Sequence, residues 1–283
     1  MLTPFKEIVE DAYSRHYAVG AFNCLSLENV LGAVDAAEQL HSPLILQLAE
    51  VQFPYAPMEL MAPVFLKAAK AAKVPVAVHL DHGQSVETCI KAIKAGFNSV
   101  MYDGASLPFE KNVYESGLVA RLAHACGVDV EAELGKVGDT GFGSGETGVS
   151  ADVFTDVAEA VRFVEETEVD ALAVAIGNKH GRYTSTPHLN INRLREINSA
   201  VPVPLVLHGG SGTGDDDFKA CIRSGISKIN VATAIQMAVT SEIESYIALS
   251  GMHDYITMKK HILTASGNAV AAHMELFESA GKA

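Results

Sequence analysis

Eight apolar segments, each about the length of one strand, recur along the chain and alternate with helix-like segments. Most of them are rich in Val, Ile, Leu and Ala without polar alternation, which is typical of strands buried on both faces of a parallel sheet. Two further helices are predicted beyond the last strand, over about 233–249 and 255–279. The predicted strands span residues 17–22, 44–48, 74–80, 98–102, 128–133, 171–176, 204–207 and 226–231.

Eight alternating strands and helices predict an α/β fold, a closed (β/α)8 TIM barrel with extra C-terminal helices. A doubly wound open sheet is the alternative, but it usually has fewer strands and a G-x-G-x-x-G after the first one, which this chain lacks. We expect one domain over residues 1–283, with the barrel ending near 233 and helices over 233–280. These last helices are the natural candidates for packing on a partner subunit.

The composition narrows the class of partner and the compartment. Apolar residues make up 48% of the chain, enough for a large core, and the net charge of −13 argues against nucleic acid or anionic membrane as partner. The four cysteines form no CxxC pair, as in a protein of a reducing compartment. The chain starts without a signal-peptide pattern, and no apolar run approaches the ~20 residues of a membrane span. We expect a cytoplasmic protein.

Imidazoles and carboxylates collect where the predicted strands end, and in a barrel these carboxyl ends form the active site. Three histidines from three strand ends match a catalytic zinc site, which takes three protein ligands and leaves one position open. Each histidine alone would more often be a hydrogen-bonded structural residue. His79, inside its strand, is expected to be structural or to orient a neighbour. The polar residues at strand ends are Asp81, His82, Asp103, Glu133, His180, His208 and Asn230.

Glycines after the seventh strand indicate a phosphate site. Residues 209–212 read Gly-Gly-Ser-Gly and precede a helix from about Asp215, so backbone N–H groups meet at a helix N-terminus. A short glycine run also simply makes turns. However, residues 230–233 follow the eighth strand, and barrels often hold phosphate between these two loops. The pair of loops is therefore stronger evidence than either loop alone.

Taken together, the motifs resemble those of class II ketose-bisphosphate aldolases, and most of all the tagatose-bisphosphate aldolase branch. The resemblance covers nearly the whole chain and keeps the order of the motifs. They are His79-Leu-Asp-His82, Asp103-Gly-Ala-Ser, Glu131-Ala-Glu-Leu-Gly135, Ala173-Val-Ala-Ile-Gly177 with His180-Gly181, Leu207-His-Gly-Gly-Ser-Gly212 and Lys228-Ile-Asn-Val-Ala-Thr233.

The resemblance implies an aldehyde-lyase of carbohydrate metabolism, of the glycolytic type. Such an enzyme reversibly cleaves a ketose (bis)phosphate, of the tagatose or fructose 1,6-bisphosphate type, to dihydroxyacetone phosphate and an aldehyde. It implies Zn²⁺ on His82, His180 and His208, with Asp103 and Glu133 at an alternative metal position. It also allows a monovalent cation near the phosphate.

The resemblance further implies that Asp81 transfers the proton at the C4 hydroxyl. The family's second base is a glutamate on a mobile loop after the fifth strand, which indicates Glu146, with Asp139 as the alternative. Homodimers or homotetramers are expected. The residues that would hold dihydroxyacetone phosphate are Gly181, Gly209, Gly210, Ser211, Asn230, Val231, Ala232 and Thr233.

Two positions depart from the family pattern on the aldehyde side. Family members typically carry a serine after the second strand, where residues 48–51 here read Leu-Ala-Glu-Val. The arginine usual in the tail helix is missing from residues 259–263, which read Lys-Lys-His-Ile-Leu. Either the aldehyde is unphosphorylated or otherwise unusual, or Lys259 or Lys260 substitutes as a point charge.

Two other functions are compatible with the sequence. One is an aldolase that forms a Schiff base, with Lys179 or Lys228 as nucleophile. The other is an inactive phosphosugar-binding barrel, although a binder would not need the carboxylate of Asp81. Borohydride trapping distinguishes the first from a zinc enzyme, and a cleavage assay on ketose phosphates distinguishes the second.

Overall fold

The computed structural model describes residues 1–135, 137–139, 154–181, 188–249, 251 and 254–283, and it does not describe the side chains of residues 138, 139, 180 and 249. Eight parallel strands close into a barrel, in the order β1-β10-β9-β7-β5-β4-β3-β2. This confirms the predicted TIM barrel. The barrel strands are β1 Val19–Asn23, β2 Leu44–Ala49, β3 Val76–Gly83, β4 Ser99–Tyr102, β5 Asp129–Leu134, β7 Ala171–Val174, β9 Leu205–Leu207 and β10 Ile226–Val231.

Helices surround the barrel, and most of them follow a residue that suits the N-cap position of a helix. Ser26 and Ser85 cap the helices after β1 and β3 by accepting from the backbone N–H three residues on. The helices are α1 Phe5–Ser14, α2 Leu27–Leu40, α3 Met58–Ala71, α4 Val86–Ala95, α5 Phe109–His124, α6 Val157–Thr167, α7 Ile191–Ala200, α8 Asp215–Arg223, α9 Thr233–Leu249 and α10 Tyr255–Leu276, with a 3₁₀ turn over Glu50–Gln52.

The first helix closes the bottom of the barrel, a role that the sequence did not predict. Phe5, fully buried, stacks on the ring of His79 with 5.2 Å between centroids. Phe5, Ile8 and Val9 share a core cluster with small inward residues such as Ala21 and Ala77. The lower barrel is therefore filled by apolar side chains, which leaves the opposite end for polar groups.

Two short strands add a pairing above the barrel. Gly138–Asp139 (β6) pairs in parallel with Lys179–His180 (β8), with Asp139 opposite His180 in register. This pairing was not predicted either. It brings the segments that follow β5 and β7 together over the carboxyl ends of the strands.

The last helix, α10, packs along α2, the helix that follows β1. A Cβ on Gly32 of α2 would lie 2.6 Å from the Leu263 carbonyl oxygen and 2.9 Å from the Gly267 nitrogen of α10. These two helices therefore approach each other backbone to backbone. Among the described residues, no helix is long and apolar enough to span a membrane.

Candidate active site

The site lies at the carboxyl edge of the barrel, where five strand ends bring polar side chains together. Asp81 and His82 lie near the end of β3, Asp103 follows β4, and Glu133 lies near the end of β5. His208 follows β9, and Asn230 lies near the end of β10. The ligand atoms of Asp81, His82 and His208 lie within 4.8 Å of one another, and so do those of His82, Asp103 and Glu133.

His82 is held in a strained backbone conformation, and its ring is fixed by a carboxylate. Its φ of 46° lies in the left-handed region, which costs energy for any residue but glycine and is often found at functional sites. Its Nδ1 lies 2.7 Å from Asp103 Oδ2. Because an ionised carboxylate only accepts hydrogen bonds, Nδ1 carries a proton, and Nε2 is the ring nitrogen that faces the site.

His208 presents a second ring nitrogen to the same point. Its Nε2 lies 2.8 Å from Glu131 Oε1, so this nitrogen donates and Nδ1 is the one that faces the site. Asn230 Nδ2 also approaches Nε2, but at 3.3 Å, and its stronger contact is to Asp81. His208 Nδ1 and His82 Nε2 lie only 2.9 Å apart. At this distance a proton on one of the two nitrogens is shared with the other as a hydrogen bond, and a metal ion bound to both would replace that proton.

A buried carboxylate oxygen without a hydrogen bond completes the donor set. Among the described residues, Glu133 Oε2 accepts no hydrogen bond, although it is buried, and His208 Nδ1 lies 3.5 Å away. Burial, reinforced by the charge of Asp103, raises the pKa of Glu133 to about 8. Two imidazole nitrogens and a carboxylate oxygen are ligands that suit Zn²⁺. The residues present therefore fit a divalent metal.

The electrostatic field of the site also favours a cation. Burial lowers the pKa of His82, but the carboxylates of Asp81, Asp103 and Glu133 outweigh it and raise that pKa to about 10. A proton is thus held tightly where a metal ion would compete for it. Metal binding at this position would displace that proton.

Asp81 is clamped by two amides. Its Oδ2 accepts from Asn23 Nδ2 at 2.8 Å, and its Oδ1 accepts from Asn230 Nδ2 at 2.9 Å. Asp81 Oδ1 lies 3.8 Å from His82 Nε2. The carboxylate is therefore fixed beside the two facing imidazoles, where it can take a proton from a hydroxyl bound there.

A fully buried ion pair orients one of the two amides. Lys228 Nζ lies 2.9 Å from Glu131 Oε2 and donates to Asn230 Oδ1 at 2.6 Å. With its oxygen engaged by Lys228, Asn230 turns its NH₂ group towards Asp81. Lys228 is completely buried and points at these partners, so it is poorly placed for a Schiff base.

Several residues of this network were not assigned roles from the sequence. Gln47 donates to Asn23 Oδ1 at 2.8 Å, which fixes the first amide of the clamp. Glu131 bridges His208 and Lys228 at the base of the site. The available signal was the presence of Asn23, Gln47 and Lys228 within apolar strands, where a polar residue needs a partner.

His79 lies below the rim, inside the barrel. Its Nδ1 lies 2.9 Å from Ser99 Oγ, and burial together with the charge of Lys228 lowers its pKa well below the usual value. Its other nitrogen lies 3.6 Å from Glu131 Oε2. This neutral, buried ring has the supporting position that the sequence indicated.

The glycine-rich loop after β9 contacts the end of β10. Gly210 N donates to Asn230 O at 3.1 Å, and Ser211 Oγ accepts from Ala234 N at 3.0 Å. Gly181, Gly209 and Gly212 have φ of 83°, 71° and 111°, which glycine adopts without steric cost. Helix α8 begins after Gly214 without a side-chain cap among the described residues. The remaining predicted residues here are Val231, Ala232 and Thr233, at the junction of β10 and α9.

The side chains of three predicted site residues, His180, Asp139 and Glu146, lie outside the part of the chain that the structure describes. The backbone of His180 lies in β8 beside β6, which contains Asp139, but neither side chain is described. Glu146 lies outside the described residues. The third metal ligand and the second base therefore remain predictions.

Comparisons with known proteins agree over the full length of the chain. The family model of class-II fructose-bisphosphate aldolase matches residues 3–282. A sulfofructosephosphate aldolase of Alkalicoccus urumqiensis is 40% identical, over 83% of this chain and 82% of its own. A fructose-bisphosphate aldolase of Thermus caldophilus is 37% identical, over 100% of both chains.

The solved structures lead to the same family. The crystal structure of the YdjI aldolase from Escherichia coli K12 superimposes with a TM-score of 0.90 at 35% identity, covering 100% of both chains. The relatives' names differ in the sugar that they cleave, so likeness alone does not fix the substrate. With the fold, the strand-end residues and these full-length matches in agreement, the chain belongs to the class II fructose-bisphosphate aldolase family.

Proposed function

We propose that the protein is a zinc-dependent aldolase that reversibly cleaves a ketose phosphate to dihydroxyacetone phosphate and an aldehyde. The observation that carries the proposal is the pair of facing ring nitrogens of His82 and His208, 2.9 Å apart beside the clamped Asp81. The residues that would hold the ion are His82, His208 and Glu133, with His180 as the further ligand implied by family resemblance. When bound, zinc supplies a Lewis acid that stabilises the negative charge left by bond cleavage.

Asp81 performs the proton transfer in this proposal. Its carboxylate removes the proton of the C4 hydroxyl as the C3–C4 bond breaks, and the electron pair of that bond stays on C3. The aldehyde leaves, and C3 is then protonated by the acid form of a second group, for which Glu146 is the candidate; in condensation the same group acts as the base. The amides of Asn23 and Asn230 keep Asp81 in position during both directions of the reaction.

The loops after β9 and β10 would bind the phosphate of dihydroxyacetone phosphate. They offer backbone N–H groups near the start of α8, which attract an anion. We treat residues 1–283 as one domain, since α10 packs on α2 and its end reaches β1 through the bond from Ala18 N to Phe277 O. The proposal includes a cytoplasmic location and a homodimer or homotetramer.

Removal of the metal and substitution of Asp81 test the proposal together. Chelated protein should lose turnover, measured as dihydroxyacetone phosphate released from ketose 1-phosphates and 1,6-bisphosphates, and zinc should restore it. Asp81→Asn should keep the zinc content, measured by mass spectrometry of the metal, but lose about 10²- to 10⁴-fold in kcat.

Histidine variants provide the complementary result. His208→Ala should lose both zinc and activity, and His180→Ala should do the same if its side chain is the further ligand. Undiminished turnover in protein shown to be free of metal would overturn the zinc mechanism. Borohydride trapping of a covalent adduct on Lys228 would instead support a Schiff base.

A further inference from the structure

We propose that the aldehyde half of the substrate is an uncharged hydroxyaldehyde, so that the ketose carries one phosphate only, on its dihydroxyacetone side. This inference rests on the proposed function and specifies its substrate class. With phosphate bound near β9 and β10, the aldehyde extends past Asp81 towards the ends of β1, β2 and β3. The charges and donors of these three ends decide what the aldehyde can carry.

Cationic side chains are missing from the segments that frame this side. No lysine or arginine occurs between Arg15 and Lys67, which includes everything that follows β1 and β2, nor between Lys73 and Lys91, which includes the turn after β3. A phosphate bound to a protein is normally held by such side chains or by backbone N–H groups. The first kind of donor is therefore unavailable from these segments.

The chain itself uses several of the backbone donors on this side. The start of α4 would be a natural anion site, but Glu50 occupies it: Oε2 accepts from Gln84 N at 2.7 Å and Oε1 accepts from Thr88 Oγ1 at 2.9 Å. Ser85 caps the same helix by accepting from Thr88 N. An anion arriving here would meet a carboxylate where it needs a donor.

The start of α2 is closed in the same way. Ser26 accepts from Asn29 N, and Leu25 N donates to Asn29 Oδ1. Glu28 in the first turn forms an ion pair with Lys259 of α10, whose ammonium group also lies over the ring of Tyr255. Of the two lysines that could have substituted for a phosphate-binding arginine, Lys259 is thus neutralised by a carboxylate.

What remains beside Asp81 is neutral and suited to hydroxyl groups. Ala49, directly opposite Asp81 in the β2–β3 register, offers only a methyl group, and its N–H donates to Gln52 Oε1 at 3.1 Å. The same oxygen accepts from Asn23 Nδ2 at 3.3 Å. The NH₂ group of the half-buried Gln52 has no partner among the described residues, so it can donate to an aldehyde-side hydroxyl.

A matched pair of aldehydes tests the inference in the condensation direction. Zinc-loaded wild-type enzyme would be given dihydroxyacetone phosphate with D- or L-glyceraldehyde, and with the 3-phosphates of the same two aldehydes. We expect kcat/KM for the better unphosphorylated aldehyde to exceed that of its 3-phosphate by at least tenfold. An equal or higher value for the phosphorylated aldehyde would overturn the inference while leaving the proposed aldolase intact. Failure of all four aldehydes would overturn both.

A binding measurement tests the same preference for a single phosphate without turnover. Hexitol 1-phosphates cannot be cleaved, and their inhibition constants can be compared with those of the corresponding hexitol 1,6-bisphosphates. A second phosphate should weaken inhibition by at least tenfold. Tighter inhibition by the bisphosphates would contradict the inference.

A charge-neutralising variant tests whether the charge of Glu50 causes the preference for an unphosphorylated aldehyde. Glu50→Gln should shift the kcat/KM ratio towards the phosphorylated aldehyde by about fivefold or more, because it removes the repelling charge. Glu87→Gln is the matched control: it changes the same charge in the first turn of α4, but on an exposed side chain paired with Lys91. The control ratio should stay within twofold of wild type. An equal shift in both variants would show that Glu50 has no specific role.

Discussion

At the scale of single residues, the chemistry of the site depends on which ring nitrogen of each histidine carries the proton. Asp103 fixes that choice for His82, and Glu131 fixes it for His208. Both carboxylates engage the nitrogen that faces away from the site, so the facing nitrogens are the ones that would bind a metal. Such carboxylate–histidine pairs raise the basicity of a metal ligand and fix its orientation.

Asp103→Asn should therefore weaken zinc binding by about 10- to 100-fold. The asparagine amide is a weaker acceptor from His82 Nδ1, and it can also turn its NH₂ group towards the ring. Competition with a chromogenic chelator measures the affinity. Asp35→Asn, an exposed change on α2, is the control and should match wild type. Unchanged affinity in Asp103→Asn would contradict the role assigned to this carboxylate.

Asn23→Ala should lower kcat without displacing zinc. Loss of the amide removes one of the two hydrogen bonds to Asp81 and leaves Gln47 and Gln52 without their shared partner. We expect kcat to fall by about tenfold or more, since misplacement of a catalytic group lowers the rate steeply. Steady-state kinetics and metal analysis together check this result. A fall in zinc content equal to that in kcat would show a structural role instead.

At the scale of elements, backbone contact between α2 and α10 couples the tail to the barrel. Gly32 and Gly267 are close enough that no side chain fits between the helices. Gly281 N donates to Leu40 O and Ala283 N donates to His41 O, which ties the end of the chain to the same helix. The tail is therefore part of the barrel wall.

Gly32→Ala should destabilise the protein by about 1–3 kcal/mol, because the new methyl group forces two backbones apart. Gly117→Ala on α5 is a matched control, since its Cβ would meet its nearest atom only at 3.5 Å. There the better helix propensity of alanine should give a neutral or slightly stabilising change. Denaturant unfolding measures both. Equal losses in the two variants would contradict the close helix contact.

At the scale of the whole molecule, large apolar side chains remain exposed on one group of packed helices. They belong to α2, α9 and α10, and α10 packs against both of the others. Exposed apolar clusters of this kind often mark subunit interfaces, which supports the proposed homo-oligomer. The residues are Leu27, Leu31, Met237, Ile247, Tyr255 and Ile256.

Ile256→Asp should lower the oligomer mass measured by light scattering, because a buried unpaired charge at an interface is costly. The control is Tyr114→Asp on α5, which is also exposed but lies on another helix. Its mass should equal that of wild type. A wild-type protein that is monomeric at micromolar concentration would remove the basis for this prediction.

Much of the fold was predictable because the pattern is local. Continuous Val- and Ile-rich segments define the strands, and helical segments between them define the parallel connection. The role of α1 in closing the bottom of the barrel was missed because it depends on the contact between Phe5 and His79. These two residues are far apart in the sequence. The β6–β8 pairing was missed because each of these strands has only two residues, which is too few to show a periodic pattern.

The sequence by itself determined the barrel, the rim on which chemistry collects, and the roles implied for Asp81 and the histidines. Only the tertiary structure decided that the ring nitrogens of His82 and His208 face each other and that Lys228 belongs to a buried ion pair. It also decided that Glu50 fills the start of α4. The physical reason is that the location of a strand along the chain depends on residues that are close together in the sequence. Tautomer, ion pairing and helix capping depend on atoms that the closed barrel brings together from distant strands.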